Sequence, residues 1–192
     1  MDTSNHIASL ERPDRVFVLS GPSGVGKNTV AAALCKSGRA VRAVTATSRE
    51  PRPGERDGAD YYFVGREEFE GWLRDGRLLE HNCYDGNYYG TPAFSVNRAA
   101  QSGKPVLLVI DVNGALAVKK LWPQVKLVFL SPPSDEALEQ RLRARGDEDA
   151  RSVAYRLKRA REEMTLRDRY DYVVVNDRLE DAVDEVAGII DH

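Results

Sequence analysis

The apolar run Val16-Phe17-Val18-Leu19-Ser20 leads into Gly21-Pro22-Ser23-Gly24-Val25-Gly26-Lys27-Asn28-Thr29, a glycine-rich turn followed by a lysine and a helix-compatible segment. Glycines at this spacing let the backbone aim successive N–H groups at an anion. A lysine then reaches the outer phosphates, and the start of the next helix adds partial positive charge. Gly21 through Thr29 therefore predict a phosphate cradle. In such a cradle a hydroxyl residue that ligates Mg²⁺ follows the lysine. Here that place is taken by Asn28, with Thr29 next, and an amide oxygen can also ligate a hard cation.

A second group of cations lies in Ser48-Arg49-Glu50-Pro51-Arg52-Pro53-Gly54-Glu55, where two prolines and a glycine exclude a helix. Arg49 and Arg52, with Thr45 upstream and the hydroxyls of Tyr61 and Tyr89, form one candidate oxyanion clamp. The alternative is surface pairing of these arginines with Glu50, Glu55, Asp57 and Asp60. Glu80 interrupts an apolar strand pattern, so its carboxylate faces either solvent or a ligand. Guanine offers two adjacent N–H groups to a carboxylate where adenine does not, and Thr91 is placed to donate to the same base. Asp111 closes an apolar run and is either a helix N-cap or the acidic residue that holds Mg²⁺ or its water shell.

A third group is read from helical spacing. Glu139 precedes Arg143 by four residues and Lys158 precedes Glu162 by four, whereas four residues before Arg141, Arg145 and Arg156 stand Ala137, Arg141 and Ser152. Around the break Gly146-Asp147-Glu148-Asp149-Ala150 these three arginines read either as a lid that closes on phosphates or as a solvated helix face.

The elements that must position these residues are legible. Five nearly continuous apolar runs, Val16–Ser20, Val41–Ala46, Val106–Ile110, Val125–Leu130 and Tyr172–Val175, predict strands buried on both faces. Helical patterns at Asn28–Lys36, Asn113–Leu121, Asp135–Ala144, Val153–Asp168 and Leu179–Ile190 alternate with most of them. That alternation predicts an α/β fold of three layers around a five-stranded parallel sheet. Between the second and third runs the rhythm changes. A strand at Tyr61–Val64, a helix at Glu67–Asp75, a strand at Leu78–Tyr84, a turn at Asp85-Gly86-Asn87 and a strand at Tyr88–Tyr89 predict a small inserted mixed lobe.

With 192 residues, 42% hydrophobic and 30% charged, the chain suits one soluble domain carrying an insertion. A net charge of −2 gives no overall attraction to nucleic acid or membrane. Cys35 and Cys83 have no metal-ligand spacing, and residues 1–14 read as a loose polar tail, so a cytoplasmic protein is expected.

The quoted segments resemble the guanylate kinase family over Val16 to about Ile190. The match runs from Ser20 to Lys27, through Ser48-Arg49-x-Pro51-Arg52-x-Gly54-Glu55-x-x-Gly58-x-Asp60-Tyr61-x-Phe63-Val64, Glu80 and Gly86-Asn87-Tyr88-Tyr89-Gly90-Thr91. It continues through Pro132-Pro133-Ser134, Arg141-Leu142-x-x-Arg145-Gly146 and Val175-Asn176-Asp177. The resemblance implies ATP-dependent phosphorylation of GMP to GDP in purine metabolism, with Mg²⁺ as cofactor, in a monomer or homodimer. It implies GMP binding by Thr45, Arg49, Arg52, Tyr61, Glu80, Tyr89, Thr91 and Asp111, and ATP binding by Gly21 to Thr29 and Asn176. Lys27, Arg141, Arg145 and Arg156 would be catalytic, and Asn28 and Asp111 would hold the metal through water. The implied organisation is a core of residues 15–46 and 98–192, a GMP lobe of 47–97 and a lid of 145–156. The family usually has Ser in place of Asn28, Asp in place of Val109 and Gln in place of Asn113. That leaves open weaker metal affinity, slower turnover or altered donor preference. The competing reading is a guanylate-kinase-like module that binds phosphorylated peptides without catalysis.

Overall fold

The computed structural model describes residues 15–84, 86–144 and 150–192, with the side chains of 150–152 excepted. The expected tail, Arg145, Gly146 and most of the turn before Ala150 lie outside the described residues.

Strand β1 (Val16–Ser20) is the centre of a parallel sheet. Around it stand β2 (Val41–Arg42), β7 (Val106–Val109), β8 (Lys126–Ser131) and β9 (Tyr172–Val175), in the order β2-β7-β1-β8-β9. Helices cover both faces. Val16, Val18, Leu108, Leu127 and Phe129 pack with α3 (Ala93–Ala100) and α4 (Val112–Leu121). Phe17, Leu19, Leu107, Val128 and Leu130 pack on the other face with α1 (Lys27–Lys36) and α7 (Leu179–Asp191). Because alternate residues of β1, β7 and β8 enter different apolar layers, these strands carry no polar face, and the uninterrupted runs in the sequence follow. The expectation of burial on both faces fails at the edges: β2 is half-buried, and in β9 only Val174 is buried. α5 (Asp135–Arg143) and α6 (Ala150–Met164) pair through Leu138, Leu142, Val153 and Ala160.

The second sheet has the order β4-β3-β6-β5, formed by β3 (Ala46–Thr47), β4 (Tyr62–Phe63), β5 (Leu78–Tyr84) and β6 (Asn87–Pro92). It packs with α2 (Arg66–Arg74) around Ala46, Phe69, Trp72 and Leu78.

Three expectations are corrected. The run Val41–Ala46 is not one strand: Val41 and Arg42 pair with Val106 and Leu107, whereas Ala46 and Thr47 pair with β4 and β6 of the other sheet. An apolar run cannot reveal that its ends belong to different partners. The helix expected at Val153–Asp168 ends at Met164 and is followed by a separate 3-10 turn at Arg167–Arg169. The helix α3 was not expected at all. It is short, Pro92 stands at its N-cap without a capping side chain, and three of the four residues of its buried face, Ala93, Ser95, Val96 and Ala99, are small.

Candidate active site

The carboxyl ends of β1 and β7 open onto one cleft of about 260 Å³, where a parallel sheet of this kind places ligands. Its core wall is Gly21, Ser23, Lys27, Asn28, Val109, Ile110 and Asp111, and the small sheet contributes Tyr61, Glu80, Asn82, Tyr84 and Tyr89. Arg156, Arg159 and Glu163 of α6 close a third side. Residues from the phosphate loop and from the inserted lobe thus share a single cavity.

The loop takes its shape from backbone that only glycine adopts easily. Gly21 has φ 137°, and a Cβ there would lie 2.2 Å from the carbonyl oxygen of Leu130 on β8. Gly26, at the N-cap of α1 with φ 102°, leaves that helix start with no side-chain cap. Lys27 Nζ donates to the carbonyls of Gly21 at 2.6 Å and Pro22 at 3.0 Å, so the ammonium lies across its own loop. Asn176 Nδ2, from beyond β9, donates to the Val25 carbonyl at 2.7 Å, and Arg141 approaches the same carbonyl at 3.5 Å. Both brace the loop from outside the cleft. Arg156 reaches it from α6, donating to Ser23 Oγ at 2.7 Å.

On the acceptor side Glu80 is only 8% exposed, and Thr91 Oγ1 donates to its Oε1 at 2.5 Å. The pairing of β5 with β6 shifts register between Leu78 and His81, and such an irregularity re-aims side chains. Burial raises the Glu80 pKa to about 7. The hydrogen bond from Thr91 opposes the rise and the charge of Asp111 adds to it. Asp111 is the N-cap of α4: its Oδ1 accepts from the Gly114 N–H at 2.8 Å, while Oδ2 accepts from Asn82 Nδ2 at 2.5 Å. Tyr61 and Tyr89 meet edge to face, with ring centroids 6.2 Å apart.

The sequence over residues 13–192 matches the family model described as Guanylate kinase. Guanylate kinase from Gloeobacter violaceus is 50% identical over 177 residues, covering 92% of this chain and 86% of that protein. Guanylate kinase from Lactococcus lactis subsp. lactis is 49% identical with the same coverage. The chain belongs to the guanylate kinase family. A crystal structure of guanylate kinase from Anaplasma phagocytophilum superposes with a TM-score of 0.75 at 37% identity, over 92% of this chain and 84% of the other. A shikimate kinase from Bacteroides thetaiotaomicron, 15% identical with a TM-score of 0.50, shares the fold alone. Membership makes the chain a nucleotide-binding transferase of the kinase class. Among the described residues no helix is long and apolar enough to cross a membrane.

Of the residues that the guanylate kinase resemblance assigned to GMP, Thr45, Tyr61, Glu80, Tyr89 and Asp111 line the cleft. Thr91 does not line it; fully buried, it faces Glu80. Arg49 stands at the cleft margin, its guanidinium 5.7 Å from the Tyr61 ring centroid, and it pairs with both oxygens of Glu55 at 2.9 Å. The backbone N–H of Arg52 donates to the same carboxylate at 2.7 Å, and its side chain is exposed. The surface pairing weighed for Arg49 is therefore present in the structure.

Four polar cleft residues escaped the sequence reading: Asn82, Tyr84, Arg159 and Glu163. Their signals were present. Asn82 and Tyr84 follow Glu80 at strand period two, Arg159 follows Arg156 by three residues, and Glu163 follows Arg159 by four.

For Mg²⁺, the oxygens available from the core wall are the Asn28 amide, exposed in the first turn of α1, and the Asp111 carboxylate. Val109 beside them adds none, and no group of three His, Cys, Asp or Glu converges among the described residues. This donor set fits a largely hydrated ion that arrives on nucleotide phosphates, which is how Mg²⁺ is commonly held.

Proposed function

We propose that the chain transfers the γ-phosphoryl group of ATP to GMP, yielding ADP and GDP. The observation that carries this reading is the shared cleft, in which Lys27 and Ser23 of the phosphate loop face Glu80, Tyr61 and Tyr89 of the inserted lobe. The core, residues 15–46 and 98–192, takes ATP and the lobe, 47–97, takes GMP.

The ionised carboxylate of Glu80 accepts the paired N–H groups of guanine, and Asp111 beside it accepts from the same edge. Adenine would leave a buried carboxylate unmatched, a mismatch capable of roughly 10⁴-fold discrimination. Arg49 exchanges Glu55 for the GMP phosphate, the exposed Arg52 side chain joins it there, and Tyr61 and Tyr89 are hydroxyl donors. Lys27 leaves the carbonyls of Gly21 and Pro22 for the β and γ phosphates, where Arg156 joins it. No general base is required, because a phosphate monoester with a second pKa near 6 is largely dianionic at neutral pH. What remains is to bring two polyanions together and offset their repulsion. Fixed cations aimed at the transferring group serve that purpose and are worth roughly 10³- to 10⁵-fold in comparable reactions. Mg²⁺, held by Asn28 and through water by Asp111, would neutralise further charge on the ATP phosphates.

A coupled ADP-release assay with GMP, AMP, CMP and UMP across a Mg²⁺ titration tests the reading. Turnover with GMP alone is expected. Equal turnover with AMP, or none with any monophosphate at any Mg²⁺ concentration, overturns it.

A further inference from the structure

Arg159 touches three parts of the molecule at once. Its Nε donates to Glu163 Oε1 at 2.9 Å, one turn along α6. Its Nη2 stands 3.5 Å from Asp111 Oδ2 at the end of β7 in the core. Its guanidinium carbon lies 4.9 Å from the ring centroid of Tyr84, the last residue of β5 in the small sheet. A guanidinium can do all of this because its edge carries several donors while its face remains free to stack, a combination that an ammonium lacks. The side chain is only 24% exposed, so these charges are less screened than a surface pair.

The helical position adds the connection. Arg156, three residues earlier on the same face of α6, donates to Ser23 Oγ of the phosphate loop. One rigid helix therefore grips the ATP side of the cleft through Arg156 and the guanine side through Arg159. Movement of Tyr84 with the small sheet, or of the Asp111 carboxylate on meeting a base, is transmitted to the element that also holds Ser23.

We propose that Arg159 is a positioning residue that couples the two nucleotide sites, so that filling either one strengthens binding at the other. This rests on the reading of the cleft as an ATP and GMP site. Arg159 contacts no reacting atom; it acts through Asp111, Tyr84 and the helix it shares with Arg156.

The test is calorimetric titration of GMP into the full chain with and without the non-hydrolysable analogue adenylyl imidodiphosphate and Mg²⁺, with a thermal melt to confirm folding. For the parent, the analogue is expected to tighten GMP about 10-fold, within the usual range of coupling between sites. In Arg159→Met the enhancement should fall below about twofold while the analogue alone binds as it does to the parent. Tyr84→Leu, which removes the lobe-side contact and leaves the charges in place, should lose most of the enhancement too. Full enhancement retained in both variants overturns the proposal, as does a parent that binds both nucleotides without enhancement, in which case the kinase reading stands. A parent that binds no GMP fails the kinase reading and the coupling with it.

Discussion

Gly114 owes its place to Glu80: a Cβ at residue 114 would lie 2.5 Å from Glu80 Oε2 and 3.0 Å from its carboxyl carbon. Glycine inside a helix is normally a liability, about 1 kcal/mol worse than alanine. Here the first turns of α4 accept that cost and leave the carboxylate room. Gly114→Ala should therefore improve helix propensity while pushing the Glu80 carboxylate out of line. The expected result is a GMP KM raised about 10- to 100-fold with the ATP KM unchanged, the scale associated with a displacement near 1 Å. Steady-state kinetics with each substrate varied in turn will check it.

Glu80 also sets a pH dependence. Its pKa rises from an ordinary 4.5 to about 7 on folding, first because of burial, so the folded state favours the protonated form. The resulting stabilisation is fully present below pH about 4.5 and is lost as pH rises through about 7, amounting to roughly 3 kcal/mol at most. Guanine needs the ionised form. GMP binding near pH 7 should release a fraction of a proton, and below that pH the GMP KM should climb toward tenfold per unit. Glu80→Gln should abolish the released proton and the Glu80 part of the melting-temperature change between pH 5 and 8. It should also erode selection of GMP over AMP. Calorimetry in buffers of different ionisation enthalpy counts the protons, and the variant separates Glu80 from the phosphate's own titration near pH 6.

Arg49 offers a test of the acceptor phosphate. Glu55 occupies its guanidinium, and on the proposed reading GMP would exchange one anion for another. Arg49→Ala should lower kcat/KM for GMP by about 10- to 100-fold, the value of a charge-assisted hydrogen bond to an ionised group. The melting temperature should move little, because the Glu55 carboxylate left behind still accepts from the backbone N–H of Arg52 at 2.7 Å. An unchanged kcat/KM would remove Arg49 from the site.

Asn176→Ala should act on the other substrate. The amide is 6% exposed and holds the Val25 carbonyl, so its loss leaves a phosphate-loop acceptor unmatched at a cost of about 1–3 kcal/mol. In a chain of this size that corresponds to a melting temperature lower by roughly 2–10 °C. The ATP KM should rise and the GMP KM should not. Differential scanning fluorimetry beside substrate kinetics would show both.

The parallel core was readable because burial on both faces removes the polar positions that would blur a strand, as in Val16–Ser20. The limits of Tyr172–Val175 also match the sequence reading, although in that edge strand only Val174 is buried. The phosphate loop was readable because its demand is on backbone conformation, which glycine spacing records directly. Partner choice was not readable. Val41–Arg42 and Ala46–Thr47 look like one strand until the sheets that receive them are known. The cleft faces of β5 and α6 were hidden for a related reason. Asn82, Tyr84, Arg159 and Glu163 are ordinary surface residues by type, and only the approach of two distant elements makes them neighbours.

The brace from Asn176 to Val25 spans 151 positions of sequence. On a ribosome the glycine turn is made well before the amide that secures it, and a contact this far apart cannot form until both ends exist. A growing chain therefore carries an unbraced glycine turn until residue 176 has been made and β9 docks beside β8. Competence to hold the donor nucleotide is in this way tied to completion of the large sheet.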